Sequence, residues 1–259
     1  MTDLKTPFQL SGKYILVTGA SSGIGQATSV LCSQLGAVVM LVGRSKERLN
    51  ETFKQMQYSG HHRIYAVDLN DHEAVRDMIA ELKVKEIKVH GMVNAAGIST
   101  TLPFKMTSPE KMEEYHRTNV VAGFNLGREL VRQNVYARSG MSMVFISSVM
   151  GMMGEKGRTL YSMTKGALLA GTRSLALELA RKKIRVNTIS PGVVESPMSR
   201  KSVYHKDKKS LDRVVGQHPL GLGNTRDVAN GCVYLLSDAS RWITGTNLVI
   251  DGGYTAGKS

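Results

Sequence analysis

The chain has 259 residues, of which 42% are hydrophobic and 21% are charged, as in one large globular domain and unlike a disordered chain. Its formal net charge is +13, from 34 Lys and Arg residues against 21 Asp and Glu residues. Most basic residues are spread singly, and the one dense stretch, 200–213, has no aromatic ladder, so we expect no nucleic-acid partner. Cys32 and Cys232 lie too far apart for a CxxC pair, and no histidines have metal-ligand spacing, so we expect no bound metal.

No apolar run approaches the ~20 residues of a membrane-spanning helix. The N-terminal segment also lacks the uninterrupted apolar core of a signal peptide. We therefore expect a cytoplasmic protein without a membrane partner.

Short apolar runs alternate along the chain with helical patterns. The predicted strands are residues 13–18, 37–43, 63–68, 89–95, 142–148, 184–190 and 246–251. The predicted helices are residues 24–35, 45–58, 71–83, 108–138, 159–182 and 225–237. Strands that are apolar throughout are typical of a sheet buried on both faces, and their alternation with helices indicates parallel pairing. The predicted fold is α/β: a doubly wound, seven-stranded, parallel Rossmann-like sheet in a single domain spanning residues 1–259.

A glycine-rich turn joins the first predicted strand to the first predicted helix. It reads Thr18-Gly19-Ala20-Ser21-Ser22-Gly23-Ile24-Gly25. Glycine lets a ligand approach the backbone closely, and the free N–H groups and dipole of the following helix favour an anion. Ligands of such sheets bind beyond the carboxyl ends of the strands, so we expect the pyrophosphate of a dinucleotide at this turn.

Residues beyond the next three strands extend the predicted cofactor site. Arg44 can pair with a 2′-phosphate, which favours NADP(H) over NAD(H), although it can also be an ordinary arginine at a helix start. Asp68, with Leu69 beside it, is assigned to the adenine amino group or to capping the helix that begins near Asp71. Small residues follow the fourth strand and leave room for the cofactor, with the asparagine more scaffold than chemistry: Asn94, Ala95, Ala96 and Gly97.

Tyr161 and Lys165 stand four residues apart on one face of a predicted helix. Free tyrosine has a pKa of ~10 and is a poor base at neutral pH, but a nearby cation stabilises the phenolate and lowers that pKa. The pair can therefore act as a general acid in carbonyl reduction or as a general base in alcohol oxidation.

Position along the chain separates this pair from two others with the same spacing. Ser148, at the end of a predicted strand, precedes Tyr161 by thirteen residues and can hydrogen-bond a substrate oxygen as negative charge develops. Its alternative role is to bond backbone at the strand end, and Ser147 should point to the opposite face. The other two pairs are interpreted as solvated surface: Tyr204 with Lys208, and Tyr254 with Lys258.

Together these motifs, with Asn187 and Pro191-Gly192, resemble the short-chain dehydrogenase/reductase family over about residues 11–254. The resemblance implies that Asn119 joins the catalytic group, distorts its helix and holds a water that relays protons to Lys165. It implies that Lys165 also binds the nicotinamide ribose, and that the protein is a homotetramer formed through its long central helices. The further cofactor contacts that it implies are Thr18, Ser21, Ile24, Pro191, Gly192 and Val194.

The substrate is a small carbonyl compound or alcohol, and three alternatives remain for the function. The chain is similar to 3-oxoacyl-carrier-protein reductases, which implies a carrier-linked acyl substrate and an acidic carrier bound by Arg138 and Arg181-Lys182-Lys183. A reductase or dehydrogenase of a sugar or other small alcohol is the second alternative. A non-catalytic protein that senses the cofactor is the third, because a fold does not dictate function.

Two segments are expected to shape the substrate side. Residues 197–216 are the predicted lid, which carries Arg200, Lys201, Lys206, Lys208, Lys209 and Arg213. Met150, Met152 and Met153 follow Ser148, and their flexible side chains suit either an adaptable apolar pocket or the core.

Overall fold

Seven parallel strands form the central sheet of the protein. The computed structural model describes residues 6–57, 61–201 and 207–257. The strands are β1 (Tyr14–Thr18), β2 (Val38–Gly43), β3 (Arg63–Ala66), β4 (Gly91–Asn94), β5 (Met141–Ile146), β6 (Ile184–Pro191) and β9 (Asn247–Ile250). Their order is β3-β2-β1-β4-β5-β6-β9, and every neighbouring pair is parallel. A separate parallel pair joins β7 (Val194–Glu195) to β8 (Gly223–Asn224).

Eight α-helices flank the sheet within the described residues. They are α1 (Gly23–Gln34), α2 (Lys46–Phe53), α3 (His72–Val84), α4 (Pro109–His116), α5 (Ala122–Arg132), α6 (Thr159–Leu179), α7 (Lys208–Gly216) and α8 (Thr225–Leu236). None of the helices in the described part of the chain is long and apolar enough to cross a membrane.

The sheet is buried on both faces. Successive residues of β1 point to opposite sides, so Leu16 packs in one core with α3, α5 and α6, whereas Ile15 and Val17 pack in a second core with α1 and α8. All three side chains are fully buried. This two-sided burial explains why the strands are apolar throughout, and it confirms the predicted doubly wound α/β fold.

The prediction of one continuous helix over residues 108–138 was wrong in two respects. The helix is divided into α4 and α5 by a π-helical segment, Arg117–Val121, and it stops at Arg132. Asn134 adopts a left-handed conformation, with φ of 56°, and such a residue commonly ends a helix. The carbonyl of Val135 then accepts a hydrogen bond from Val89 N at 2.8 Å, just before β4 begins.

Two other helix ends differ from the prediction. α2 stops at Phe53 rather than near residue 58, and residue 58 itself lies outside the described residues. α6 stops at Leu179 and passes into a short 3₁₀ turn, Ala180–Lys182, before Lys183 takes a φ of 58°. Within the predicted lid, 197–216, the structure contains α7, which the sequence pattern did not reveal. Lys206 of that lid lies outside the described residues, as does the side chain of Lys201.

A buried histidine joins two segments at the β2–β3 side of the sheet. His62 is 8% exposed. Its Nδ1 accepts from Val39 N at 3.0 Å, and its Nε2 donates to the carbonyl of Gln57 at 2.6 Å. Burial lowers the pKa of His62, because the charged imidazolium loses its hydration. The folded protein therefore holds this ring neutral.

We expect the free energy of unfolding to fall as the pH is lowered from about 7.5 to about 5.5, because His62 in the unfolded chain gains a proton near its ordinary pKa of ~6.5 while the folded chain resists it. Burial also lowers the pKa of His90, which adds to the same trend. Urea unfolding at the two pH values measures the effect. His62→Gln should show a smaller difference between them, and an unchanged difference would contradict the assignment.

Candidate active site

A continuous cleft runs along the carboxyl ends of the central strands. It has two halves that share Ile24, Ala95, Gly97, Ile98, Ser196 and Met198. The first half is lined by most of the predicted cofactor residues: Gly19, Ser21, Ser22, Gly23, Ile24, Gly25, Arg44, Asp68, Leu69, Ala95, Ala96 and Gly97. The second half is lined by the predicted chemical residues and the loop after β6: Ser148, Tyr161, Lys165, Pro191, Gly192 and Val194.

Three predicted residues lie behind the cleft instead of lining it. Thr18 donates from Oγ1 to Asn94 Oδ1 at 2.9 Å, and the same hydroxyl accepts from Ala96 N at 3.2 Å. Thr18 and Asn94 are buried, so this pair fastens β1 to the loop after β4. Asn119, the third, is fully buried beneath that loop.

The glycine turn is closed by backbone contacts that a side chain would prevent. Gly19 has a φ of 64°, and a Cβ there would lie 2.9 Å from Ala96 N. A Cβ on Gly25 would lie 2.4 Å from the carbonyl oxygen of Gly19. Ser22 is the N-cap residue of α1, but its side chain makes no capping hydrogen bond, and the first turn of α1 carries no acidic residue. The N–H groups at this helix start therefore suit an anion such as pyrophosphate.

Arginine side chains gather at the far end of the first half. Arg44, Arg48 and Arg117 line it, and each is exposed. In the described part of the chain, no ion pair or side-chain hydrogen bond engages any of these guanidinium groups. Their charge is thus available to an anionic ligand.

Asp68 does not cap a helix. Its Oδ1 accepts from Asn70 N at 3.0 Å, while Asp71 caps α3 through bonds from Glu73 N and Ala74 N. This arrangement removes the helix-cap alternative for Asp68. Leu69 beside it is 7% exposed and packs into the core.

Tyr161 and Lys165 lie one turn apart on α6, and Lys165 Nζ is 5.5 Å from the centre of the Tyr161 ring. Lys165 is 6% exposed, and its Nζ donates to the carbonyl of Ile146, the last residue of β5, at 2.7 Å. None of the carboxylates in the described residues forms an ion pair with it. Burial lowers the pKa of Lys165 to about 8, so the group is still mainly an ammonium at neutral pH.

The two neighbouring serines have different environments. Ser148 is 8% exposed and lines the cleft, where its Oγ accepts from Met150 N at 3.2 Å. Ser147 turns the other way and donates from Oγ to the carbonyl of Lys165 at 2.8 Å. Ser148 is therefore placed to meet a substrate, whereas Ser147 holds α6 against β5.

Asn119 lies in the π-helical segment, so the expected distortion of the helix is present. Its Oδ1 accepts from Ile98 N at 2.8 Å, and its Nδ2 donates to Ile98 O and to Thr164 Oγ1, both at 3.0 Å. A Cβ on Gly97 would lie 3.1 Å from Asn119 Oδ1 and 3.7 Å from Lys165 Nζ. Asn119 therefore joins the loop after β4 to α6, directly beside the buried ammonium.

Sequence reasoning missed two residues that line the second half, Arg158 and His218, and one glycine that packs on α6, Gly151. A Cβ on Gly151 would lie 2.9 Å from the backbone of Lys165, so glycine lets the turn after Ser148 pack on α6. Arg158 is 12% exposed and donates from Nη1 to Ser99 Oγ at 3.1 Å and to Thr100 O at 3.3 Å. His218 also lines this half and is 3% exposed. Of the three, only Arg158 carried a local signal, because it directly precedes α6 and lies three residues before Tyr161.

Two expectations for the substrate side change. Tyr254 is not solvated surface, because it lines the second half and stacks on the His218 ring; its proposed partner Lys258 lies outside the described residues, as does Tyr204. Of the three methionines after Ser148, Met150 is buried and lines the cleft, whereas Met152 and Met153 are 45% and 40% exposed and do not line it.

The fold and this cleft define a dinucleotide-dependent oxidoreductase, and comparison with known proteins gives its family. A family model described as enoyl-(acyl carrier protein) reductase matches residues 19–255. The 3-oxoacyl-[acyl-carrier-protein] reductase FabG of Thermotoga maritima is 34% identical over 247 residues, which cover 95% of this chain and 98% of that protein. The chain belongs to the short-chain dehydrogenase/reductase family, so it is an oxidoreductase that acts on CH–OH or C=O groups.

Solved structures agree with this family. A putative NAD(P)-dependent gluconate 5-dehydrogenase from Beutenbergia cavernae, with bound NADP, has a TM-score of 0.90 and 29% identity, and the match covers 97% of this chain and 100% of that chain. A 4-hydroxyisoleucine dehydrogenase complexed with NADH has a TM-score of 0.87 and 31% identity, over 95% of this chain and 100% of that chain. Similar folds therefore accept either nucleotide.

We expect Lys165→Met to unfold at a temperature equal to or above that of the wild type while losing activity, because it removes a buried charge that has no counter-ion. Relief of about 1 kcal/mol corresponds to a rise of about 2–4 °C. The stability advantage should be largest below the pKa of about 8 and shrink toward pH 10, because wild-type stability rises where the folded chain binds fewer protons than the unfolded chain. Thermal unfolding at pH 7 and pH 10 measures this, and an advantage that grows with pH would contradict it.

Proposed function

We propose that the protein is an NADP(H)-dependent carbonyl reductase whose substrate is a 3-oxoacyl thioester. The observation that carries the proposal is the position of Tyr161 beside the buried Lys165 ammonium, in a half-cleft that opens directly into the glycine-turn half. A cofactor-sensing protein has no need of a desolvated ammonium next to a phenol, which disfavours that alternative.

The residues of the cleft fit NADP(H). The turn from Gly19 to Gly25 suits the pyrophosphate, Arg44 suits the 2′-phosphate, and Asp68 suits the adenine amino group. The loop from Pro191 to Val194 and the ammonium of Lys165 would hold the nicotinamide riboside end. When bound, the reduced nucleotide supplies the hydride.

The residues of this chain then handle the proton. Tyr161 Oη donates its proton to the carbonyl oxygen of the substrate, and the Lys165 ammonium stabilises the phenolate that remains. Ser148 Oγ hydrogen-bonds the same oxygen as it gains negative charge. The Lys165 Nζ is fixed by the Ile146 carbonyl, so this stabilisation needs no rearrangement. We propose that Asn119 holds the water through which the site is reprotonated.

The lining of the second half favours an acyl substrate. Val149, Met150, Val193, Met198 and Val214 contribute an apolar wall. A flexible methionine among branched side chains suits an acyl chain of variable shape.

A second candidate is a small polyhydroxylated or acidic alcohol. Glu155 and Arg158 line the same half and form an ion pair with Arg158 Nε 3.5 Å from Glu155 Oε2. Such a pair offers both donors and acceptors to substrate hydroxyl or carboxylate groups. A structurally similar protein, the putative gluconate 5-dehydrogenase, belongs to this class.

The basic residues expected to bind an acidic carrier lie away from the cleft. Arg138 precedes β5 and Arg181 to Lys183 precede β6, so all four lie at the amino edge of the sheet. Strands of 6–8 residues separate that edge from the cleft by about 20–26 Å at ~3.3 Å per residue. The proposal therefore concerns the acyl thioester and does not depend on its carrier.

An apolar groove supports the proposal of a homotetramer. Val120, Val121, Phe124, Leu175 and Leu179 line it between α5 and α6. Large exposed apolar surfaces commonly mark protein–protein contacts.

The proposal is tested by following NADPH absorbance with an acetoacetyl thioester and with a panel of sugars, sugar acids and small ketones or alcohols. We expect turnover of the thioester, and we expect Tyr161→Phe to lower kcat by at least about 100-fold with little change in NADPH affinity, because only the proton donor is removed. Oxidation of a sugar acid without thioester turnover would select the second candidate. Substantial turnover by Tyr161→Phe would contradict the role of Tyr161.

Arg44→Ala should raise KM for NADPH by about 10- to 100-fold, because it removes a charge-assisted contact to the 2′-phosphate. The kinetics with NADH should change little, since NADH lacks that phosphate. Arg226→Ala is the matched control, because Arg226 is exposed on α8 and does not line the cleft. Equal effects of Arg44→Ala on both nucleotides would contradict the assignment.

A further inference from the structure

His218 lies where the end of α7 meets the loop after β6. It follows α7 by two residues and lines the second half of the cleft together with Val193 and Val214. Only 3% of the residue is exposed. The mechanism proposed above gives this buried imidazole no task.

Both ring nitrogens of His218 are engaged with backbone. Val193 N donates to Nε2 at 3.2 Å, and Nδ1 lies 2.7 Å from the carbonyl oxygen of Val214. A backbone N–H can only donate and a carbonyl can only accept, so the ring is neutral and carries its proton on Nδ1. His218 therefore bridges the last turn of α7 and the loop after β6.

Packing holds the ring in this orientation. The Tyr254 ring stacks on it, with centroids 4.7 Å apart and planes inclined by 20°. A Cβ on Gly192 would lie 3.1 Å from His218 Nε2 and 2.9 Å from Asp251 Cα. The loop thus reaches the imidazole only because residue 192 is glycine. The C-terminal segment that carries Tyr254 is also bonded to the residues after His218, where Leu220 N donates to Gly252 O at 3.0 Å.

We propose that His218 is a positioning residue that fixes the loop from Pro191 to Val194 against α7. It thereby keeps the part of the second half that would hold the nicotinamide riboside in register with the substrate wall next to Val214. Of the two hydrogen bonds, the one from Val193 N to Nε2 holds the loop that would contact the nucleotide. This inference rests on the proposed function to the extent that the nucleotide binds in this cleft, but it does not depend on which substrate is reduced.

Two substitutions separate the two bonds of the imidazole. In His218→Gln, the side-chain oxygen can take the place of Nε2 and still accept from Val193 N. In His218→Asn, the amide nitrogen can take the place of Nδ1 and donate to Val214 O, but the acceptor for Val193 is lost. We expect His218→Asn to raise the Kd for NADPH about tenfold, the effect of one hydrogen bond, and to lower kcat. We expect His218→Gln to stay within about twofold of the wild type.

The chain offers a matched control in His62. That residue is also buried and also bridges two backbone groups, Val39 N and the Gln57 carbonyl, but it lines neither half of the cleft. His62→Asn and His62→Gln should lower the unfolding temperature without changing the Kd for NADPH. A purely structural role for His218 predicts the same behaviour at residue 218.

NADPH fluorescence titration, thermal unfolding and steady-state kinetics on the wild type and the four variants give the result. Equal Kd values for His218→Asn and His218→Gln would overturn the proposal. If His218→Asn does not fold, amide hydrogen exchange at Val193 decides instead: slow exchange in the wild type and in His218→Gln supports the bridge, and fast exchange in the wild type overturns it. Failure of the wild type itself to bind NADPH would refute the proposed function and, with it, this inference.

Discussion

An ammonium group held out of water is the constraint on which the cleft depends. Lys165 is almost wholly buried, and its Nζ has a backbone carbonyl rather than a carboxylate as its partner. A carboxylate would stabilise the charge but would also cancel its field at Tyr161, which lies 5.5 Å away. The residues around Lys165 exclude water and give its charge a carbonyl partner, so that its electrostatic field remains directed at the phenol.

The residues that surround Lys165 are closely packed. Gly97 and Gly151 both stand where a Cβ would press on Lys165 or on the residues beside it. Asn119 fills the remaining space and satisfies Ile98 and Thr164 at the same time. Ser147 completes the enclosure from β5. Side-chain bonds from the π-helical segment and from the residue after β5 thus hold α6, which carries Tyr161 and Lys165, and the His218 bridge holds the loop after β6 in a similar way.

Much of the fold was predictable because its signals are local. Strands such as β1 and β2 are apolar on both faces, and each is followed by a helix, which indicates a parallel sheet without knowledge of any distant contact. The rule that ligands bind beyond the strand ends then brought Ser148 and the glycine turn together. Tyr161 was selected by its spacing to Lys165 and its position thirteen residues after Ser148. Asn119 was different, because a fully buried asparagine in a helical pattern has no local signature and entered only through the family resemblance.

What could not be predicted depends on contacts between distant parts of the chain. Tyr254 was predicted to be a surface residue because it lies near the C-terminus, yet the C-terminal segment returns to the cleft and stacks it on His218. His218 lies in a polar stretch, and only the meeting of α7 with the loop after β6 gives it two backbone partners. The end of α5 was missed because Asn134 turns the chain toward Val89, a partner 45 residues away.

The widened turn between α4 and α5 limits how this part of the chain can vary. A π-helical turn holds one residue more than an α-helical turn, and its hydrogen bonds are less favourable. Deleting one residue from 117–121 would let α4 and α5 merge into a regular helix with better backbone bonding. The same deletion would change the positions of residues within the segment relative to α4 and α5, and would carry Asn119 away from Ile98. A shorter segment would form a more regular helix but would lose the bonds between Asn119 and Ile98, so the length of the segment shapes the cleft as much as its side chains do.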